Sequence, residues 1–328
     1  MNIGKSYRQH PIADWWDAIV IGSGLGGLAT AGLLARHADK RVLVLERHYT
    51  AGGFTHVFHR QGYEWDVGVH YVGEVQRPRS VLRRVFDHLS DGALQWADMG
   101  EVYDTVVIGE DRYELVKGYE AFRARMKEYF PARGKDIDRY LERVGQAVRR
   151  SRPFFLEKAL PRTLAAVAGP AMRWPAMREA KRTVREVMAE LTDDPRLAGV
   201  LTAQYGDYGL PPAEASFFMH AMLVHHYFGG GAYPVGGSSR IAETILPGIE
   251  RAGGAVITCA DVDSILFEHG RAVGVRLADG HELRAPMVVS DVGWAATFSR
   301  LVPHELAEGA GLHPTIPGVK PSFAHVAL

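Results

Sequence analysis

Residues 15–53, Trp15-Trp16-Asp17-Ala18-Ile19-Val20-Ile21-Gly22-Ser23-Gly24-Leu25-Gly26-Gly27 and on through Glu46 to Gly52-Gly53, decide how the chain folds. Asp17 to Ile21 is a short β-branched apolar run, the pattern of a strand buried on both faces of a parallel sheet. It runs into Gly22-Ser23-Gly24-Leu25-Gly26-Gly27, which fits G-x-G-x-x-G at Gly22, Gly24 and Gly27. Leu25 to His37 has the Ala/Leu content of a helix, and Arg41 to Leu45 is a second apolar strand that ends on Glu46. Together these make one βαβ unit. Gly22 permits the tight turn, Gly24 lets the backbone approach a pyrophosphate, and Gly27 lets helix and strand pack closely. Ser23 and Gly26 complete the loop, whose helix N-terminus offers free N–H groups and a positive dipole end. Glu46 falls 19 residues after Gly27, where an acid can accept hydrogen bonds from ribose hydroxyls. A 2′-phosphate would want a cation there, so Glu46 disfavours NADP, an argument softened by Arg47 and His48.

The residues just after Glu46 decide between FAD and NAD. The run Glu46-Arg47-His48-Tyr49-Thr50-Ala51-Gly52-Gly53 resembles the extended ADP-binding motif of glutathione-reductase-like flavoproteins, in which a Gly-Gly doublet comes after the acid. Adjacent glycines let the backbone pass close beside a bulky dinucleotide, and the doublet at that spacing favours FAD. An NAD-dependent dehydrogenase and a plain loop are the competing readings.

Bulk properties exclude several classes. Thirty-eight basic residues balance 38 acidic ones, so no global charge points to nucleic acid. The single cysteine, Cys259, rules out an intrachain disulfide and a Cys-rich metal site, and is compatible with a cytoplasmic location. Residues 18–35 are uncharged and long enough to imitate a membrane span, but five glycines lie inside them and the βαβ reading explains those. No signal peptide is expected, since Asp14, Trp15, Trp16 and Asp17 interrupt the N-terminus. The first dozen residues look like a flexible polar lead-in.

Downstream, Gly52-Gly53-Phe54-Thr55-His56 with Gly62, Asp66, Gly68, His70, Tyr71 and Gly73 resembles the all-trans-retinol 13,14-reductase (retinol saturase) family, grouped with phytoene desaturases and carotenoid isomerases. Ser216-Phe217-Phe218-Met219-His220-Ala221 and Gly231 to Ser239 resemble the same family. The resemblance covers roughly residues 16–328. It implies FAD, a long polyene or isoprenoid substrate, and hydride exchange with the flavin, with NAD(P) as a candidate electron partner. It places the third parallel strand at Val256 to Cys259, the adenine against the backbone near Val262, and a returning strand at Met287 to Gly293. It also makes His70 and Tyr71, after the Asp66-x-Gly68 loop, the first candidates for an assisting proton donor. No catalytic triad is present, and none is needed where the cofactor carries the chemistry. The segment Pro321 to Leu328 has the pattern of a strand in mid-run, while the family continues well beyond it to a second flavin-contacting segment. The chain is therefore expected to be truncated, and a fragment that binds only the ADP half of FAD is one alternative. A flavoenzyme of amine-oxidase type is another.

Two further stretches stand out. Residues 149–185 carry ten Lys/Arg against Glu157 and Glu179, a local balance of +8, with Phe154, Phe155, Leu156, Leu160, Met172, Trp174 and Met177 interleaved. This pattern suits either a peripheral contact with an anionic membrane or a solvated basic helix pair over a substrate cavity. No nucleic-acid-binding signature accompanies it. His220, His225 and His226 sit in an apolar helix expected over Ala213 to Phe228, with no carboxylate interleaved at helical spacing. Core or cavity-wall histidines are expected there, and no metal site. The expected architecture is α/β: a discontinuous glutathione-reductase-like Rossmann FAD domain over 14–76 and 236–300, and an inserted mixed substrate domain over 77–235 and 301–328. The expected partner is an apolar small molecule. The sequence assigns no oligomeric state.

Overall fold

Five short strands form one wholly parallel sheet, in the order Lys5–Ser6, Ala255–Thr258, Val42–Leu45, Ala18–Ile21, Val288–Ser290. The three central strands are almost fully buried, as strands covered on both faces must be. Successive side chains alternate between the faces. Ile19, Ile21, Leu43, Leu45 and Ile257 join a core with Val262, Ile265, Val275, Leu277 and Leu283 from an antiparallel sheet of Val262–Glu268, Arg271–Leu277 and Glu282–Arg284. The opposite face carries helix α1 (Leu25–Ala38), which packs against a later helix, Ser239–Arg251.

The computed structural model describes residues 2–312. Among them, residues 2–69, 78–97 and 233–312 form one compact unit, which holds this sheet, and residues 70–77 and 98–232 form a second. Helix α2 (Val81–Ser90), which the sequence reading put with the inserted segment, belongs to the sheet unit. Its Leu89 meets α1 at Gly32, and Asp91, just past its end, pairs with Arg36 at 2.5 Å. Residues 70–77 belong to the second unit instead.

The polar lead-in expected at the N-terminus is structured. Lys5–Ser6 adds a parallel edge strand to Ala255–Thr258, Ala51 N–H donates to Ile3 O, and Ile3 N–H donates to Thr50 Oγ1. A two-residue polar edge strand has no periodicity to detect, because only the sheet beside it supplies the missing backbone partners.

The second unit is mainly helical: α3 (Tyr119–Tyr129), α4 (Gly134–Glu157), α5 (Arg162–Ala180), α6 (Val184–Leu191), α7 (Pro195–Thr202) and α8 (Phe217–Tyr227). A hairpin of Val102–Ile108 and Asp111–Val116 packs with them. The core gathers Tyr140, Leu141 and Val144 of α4 with Leu197 of α7 and Phe217 and Tyr227 of α8. Helix α8 begins at Phe217 rather than Ala213. Ser216 caps it by accepting from Phe218 N–H, and Ala215 O is already taken by Val184 N–H. The expected strand at 321–328 lies outside the described residues.

Candidate functional site

Where Ala18–Ile21 gives way to α1, the sheet unit opens into a cavity of about 610 Å³. Nine of the ten residues expected to hold a cofactor line it: Gly22, Ser23, Gly24, Gly26, Glu46, Arg47, Gly52, Gly53 and Val262. Two glycines show why this loop excludes side chains. A Cβ on Gly53 would stand 2.9 Å from Gly24 Cα, so the doublet and the first loop touch backbone to backbone. Gly27, the tenth residue, lies beneath the cavity instead of lining it, and a Cβ there would come within 2.4 Å of Gly22 O. That is the close helix–strand contact for which the third glycine of the motif is required.

Glu46 fastens the loop. Its Oε2 accepts from Ser23 N–H at 2.9 Å and from Ser23 Oγ–H at 2.6 Å, and its Oε1 accepts from His48 N–H at 2.8 Å. A carboxylate has about four acceptor positions, so roughly one remains for a ligand hydroxyl. Val262 opens the first antiparallel strand, and the turn before it is held by Cys259 N–H to His48 O and Ala260 N–H to Glu46 O.

Asp291 is a cavity residue that the sequence reading did not single out. It follows the returning strand Val288–Ser290, and its Oδ2 accepts from Gly27 N–H at 2.8 Å. Helix α1 has no side-chain cap and no acid in its first turn, and Asp291 supplies a carboxylate there from 264 residues away. Only the topological return of the chain under α1 reveals it. Phe54 and Arg300 also line the cavity. Three stretches singled out in the sequence converge on Ser238, which is fully buried. Its N–H donates to Asp66 Oδ1 at 3.0 Å, and its hydroxyl lies 2.5 Å from Asp66 Oδ1 and 3.0 Å from Thr55 O.

His70 and Tyr71 do not line this cavity; they belong to a tyrosine–aspartate cluster in the helical unit. Tyr71 O–H donates to Asp104 Oδ2 at 2.6 Å and accepts from Gln204 Nε2 at 2.6 Å. Burial, then the hydrogen bond to Asp104, pushes the Tyr71 phenol well above its ordinary pKa, so it keeps its proton. His70 Nδ1 lies 2.7 Å from Tyr71 O and 2.9 Å from Tyr227 Oη. A carbonyl oxygen only accepts, so Nδ1 carries the hydrogen and Nε2 of the exposed ring is left to exchange a proton. Tyr227 Oη also lies 3.0 Å from Asp207 Oδ2, and burial raises the pKa of Asp207. Asp104, Gln204, Asp207 and Tyr227 carried no local signal, because the cluster assembles from positions far apart in the chain.

The three histidines of α8 go to separate places. His220 is buried between Tyr140 Oη, 2.8 Å from Nε2, and Tyr208 Oη, 3.3 Å from Nδ1, and burial lowers its pKa to about 4. His226 Nε2 accepts from Gly73 N–H at 2.7 Å, and burial lowers its pKa to about 4 as well. His225 packs against Phe228.

Comparison with known proteins agrees with this geometry. Residues 20–89 match the NAD(P)-binding Rossmann-like domain family. An all-trans-retinol 13,14-reductase of Danio rerio is 42% identical over 305 residues, 88% of this chain and 49% of that protein. The Homo sapiens protein of the same name is 37% identical over 98% of this chain and 53% of its own length. A chloroplastic prolycopene isomerase of an Oncidium hybrid cultivar is 28% identical, over 88% and 50%. Among solved structures, a putrescine oxidase bound to putrescine aligns with a TM-score of 0.61 at 18% identity, covering 90% of this chain and 62% of that one. A cyclohexylamine oxidase from Brevibacterium oxydans aligns at 0.55 and 20%, over 90% and 63%. These two likenesses concern the fold alone. The chain spans about half the length of the curated relatives it matches. The glycine loop, the acid at the strand end and the Gly-Gly doublet meet in one cavity, and nearly the whole chain is similar, at 37–42% identity, to about half the length of all-trans-retinol 13,14-reductases.

Proposed function

We propose that this chain carries the FAD-binding region and part of the substrate region of an oxidoreductase acting on carbon–carbon double bonds of a polyene or isoprenoid. The observation that carries the reading is the cavity at the end of the parallel sheet, with Gly24 and Gly53 in backbone contact and Glu46 fixed beside them. These residues fit a dinucleotide: side chains are excluded at Gly24, where a Cβ would meet Asp291 Oδ2 at 2.8 Å, and at Gly53, where it would meet Gly24 Cα at 2.9 Å, and Glu46 keeps an acceptor for a ribose hydroxyl. FAD is preferred over NAD because the Gly52-Gly53 doublet lines the same cavity. Bound there, the flavin supplies hydride transfer, and NAD(P) is the candidate electron partner. The names of the relatives make an apolar retinoid or carotenoid the expected substrate class.

Of the two candidates for assisting proton transfer, His70 has the free nitrogen, a lone pair that can take up a proton and pass it on. Tyr71 spends its hydroxyl hydrogen on Asp104, whereas the tautomer fixed on His70 leaves Nε2 available. An amine-oxidase chemistry draws support only from the fold likeness to amine oxidases at 18–20% identity, and is the weaker reading. No helix among the described residues is long and apolar enough to cross a membrane.

The test is the visible spectrum of the purified chain after FAD is added and free flavin removed. Retained flavin bands, lost in Gly24→Asp, support the reading. A colourless protein, both as this chain and as a version extended at the C-terminus, overturns it. Flavin-loaded protein is then assayed for reduction of all-trans-retinol, with His70→Ala expected to lose far more turnover than Tyr71→Phe.

A further inference from the structure

Helix α5 buries its small and acidic side chains and shows its large apolar ones. Gly169, Ala176 and Glu179 point inward, while Leu164, Val167 and Trp174 are 57%, 84% and 62% exposed. At about 100° per residue those three, with Ala171 and Arg178, fall within an arc of roughly 80° opposite the buried stripe. Phe155 and Leu156, at the end of α4, are also exposed.

The charges are sorted in the same way. Both acids of 149–185 are turned inward and neutralised internally. Glu179, at 2% exposure, takes Arg143 and Arg150, and Glu157 takes Lys158 and Arg173. Arg182 is paired with Glu190. Six cations of the stretch remain, Arg149, Arg152, Arg162, Arg178, Lys181 and Arg185. All six are exposed, and among the described residues none has a carboxylate within ion-pair distance. Exposed aliphatic and indole side chains flanked by unpaired cations match one kind of surface, an apolar layer beneath anionic headgroups.

We propose that α5 and the C-terminal end of α4 form a peripheral docking face for an anionic lipid bilayer, with Leu164, Val167 and Trp174 entering the headgroup–acyl boundary. Charge complementarity selects this occupant. A second copy of the chain would bring six unpaired cations against the same six, and like charges at an isologous contact repel. With no helix of crossing length among the described residues, the face lies in the interface plane. The inference is independent of the flavin and of the redox reading.

The experiment is flotation of the purified chain with vesicles of phosphatidylcholine alone and of phosphatidylcholine with phosphatidylserine. Binding to the anionic vesicles, weak binding to the neutral ones, and partial release by salt are expected. Val167→Ser with Trp174→Ser, and separately Arg152→Glu with Arg162→Glu, should each lower partitioning roughly tenfold or more. Each variant is compared with the parent by circular dichroism, and the two pairs alter different groups, so one misfolded pair leaves the other decisive. A parent that stays unbound beside anionic vesicles, as it would if this face docks on protein, overturns the proposal. So does equal binding by folded variants.

Discussion

The glycine-lined cavity and the α4–α5 helix pair each close around a carboxylate, with opposite chemistry. Glu46 accepts only neutral donors, two of them backbone N–H groups, and stays at the rim of an open cavity. Glu179 is buried and takes two guanidinium groups, Arg143 from 36 residues away and Arg150 from 29. The first arrangement leaves the site able to receive a ligand, because its donors are fixed backbone and its carboxylate has an acceptor to spare. The second consumes its charges to hold two helices together, and leaves other cations outside. A carboxylate among glycines makes a place for something else, whereas a carboxylate among arginines makes a joint.

The sharpest way to break this comparison is at Gly27. In Gly27→Ala the new methyl would meet Gly22 O at 2.4 Å, and both partners are backbone of packed elements that cannot swing aside. A loss of about 3 kcal/mol or more is expected by urea unfolding, together with loss of flavin retention. A loss below about 1 kcal/mol would mean that the loop is looser than the cavity requires.

Glu179→Gln tests the joint. Arg143 is left largely buried without an anion, while half-exposed Arg150 can return to water. A loss of about 3 kcal/mol is expected. Burial pushes the Glu179 pKa up, but Arg143 and Arg150 more than offset this and hold it below 4.5. Its stabilisation is therefore fully present above pH 4.5 and is lost as the pH falls through the lower, folded-state value. The variant should show a flatter unfolding curve below pH 4.5 and an unchanged slope above it.

His220 governs a separate window. With its pKa lowered from 6.5 to about 4, it is bound neutral, and the unfolded chain takes up the proton first. Stability should fall from pH 6.5 towards pH 4, by at most about 1.4 kcal/mol per pH unit from this residue. His226 adds to the same window. His220→Gln should flatten that limb, and an unchanged slope there would show that burial does not hold the ring neutral. The smallest effect is expected for Tyr71→Phe, about 1–2 kcal/mol, because Asp104 and Gln204 each lose a partner.

Much of the cavity was legible in advance because its chemistry is contiguous. Gly22 to Gly27, Glu46 and the Gly52-Gly53 doublet lie within 32 residues at spacings that βαβ geometry dictates, and nine of ten expected residues meet. The exceptions are instructive. Gly27 serves packing below the cavity, and Asp291 reaches α1 only through the fold. The histidines of α8 suggested core or cavity-wall places, and His220 is indeed in the core between Tyr140 and Tyr208.

By itself the sequence determined the parallel sheet, the glycine loop and the acid beside it, because each depends on a backbone conformation that few residue types allow and on neighbours a fixed distance along the chain. It also determined that residues 149–185 carry excess positive charge. Only the tertiary structure decided which of those cations are spent on Glu157 and Glu179 and which face outward. Only it turned the large side chains of α5 away from the core, joined Asp207, Tyr227 and His70, and made a sheet edge of Lys5–Ser6. Pairing of side chains distant in sequence is set by how elements pack, and an isolated stretch carries no trace of the partner it will meet.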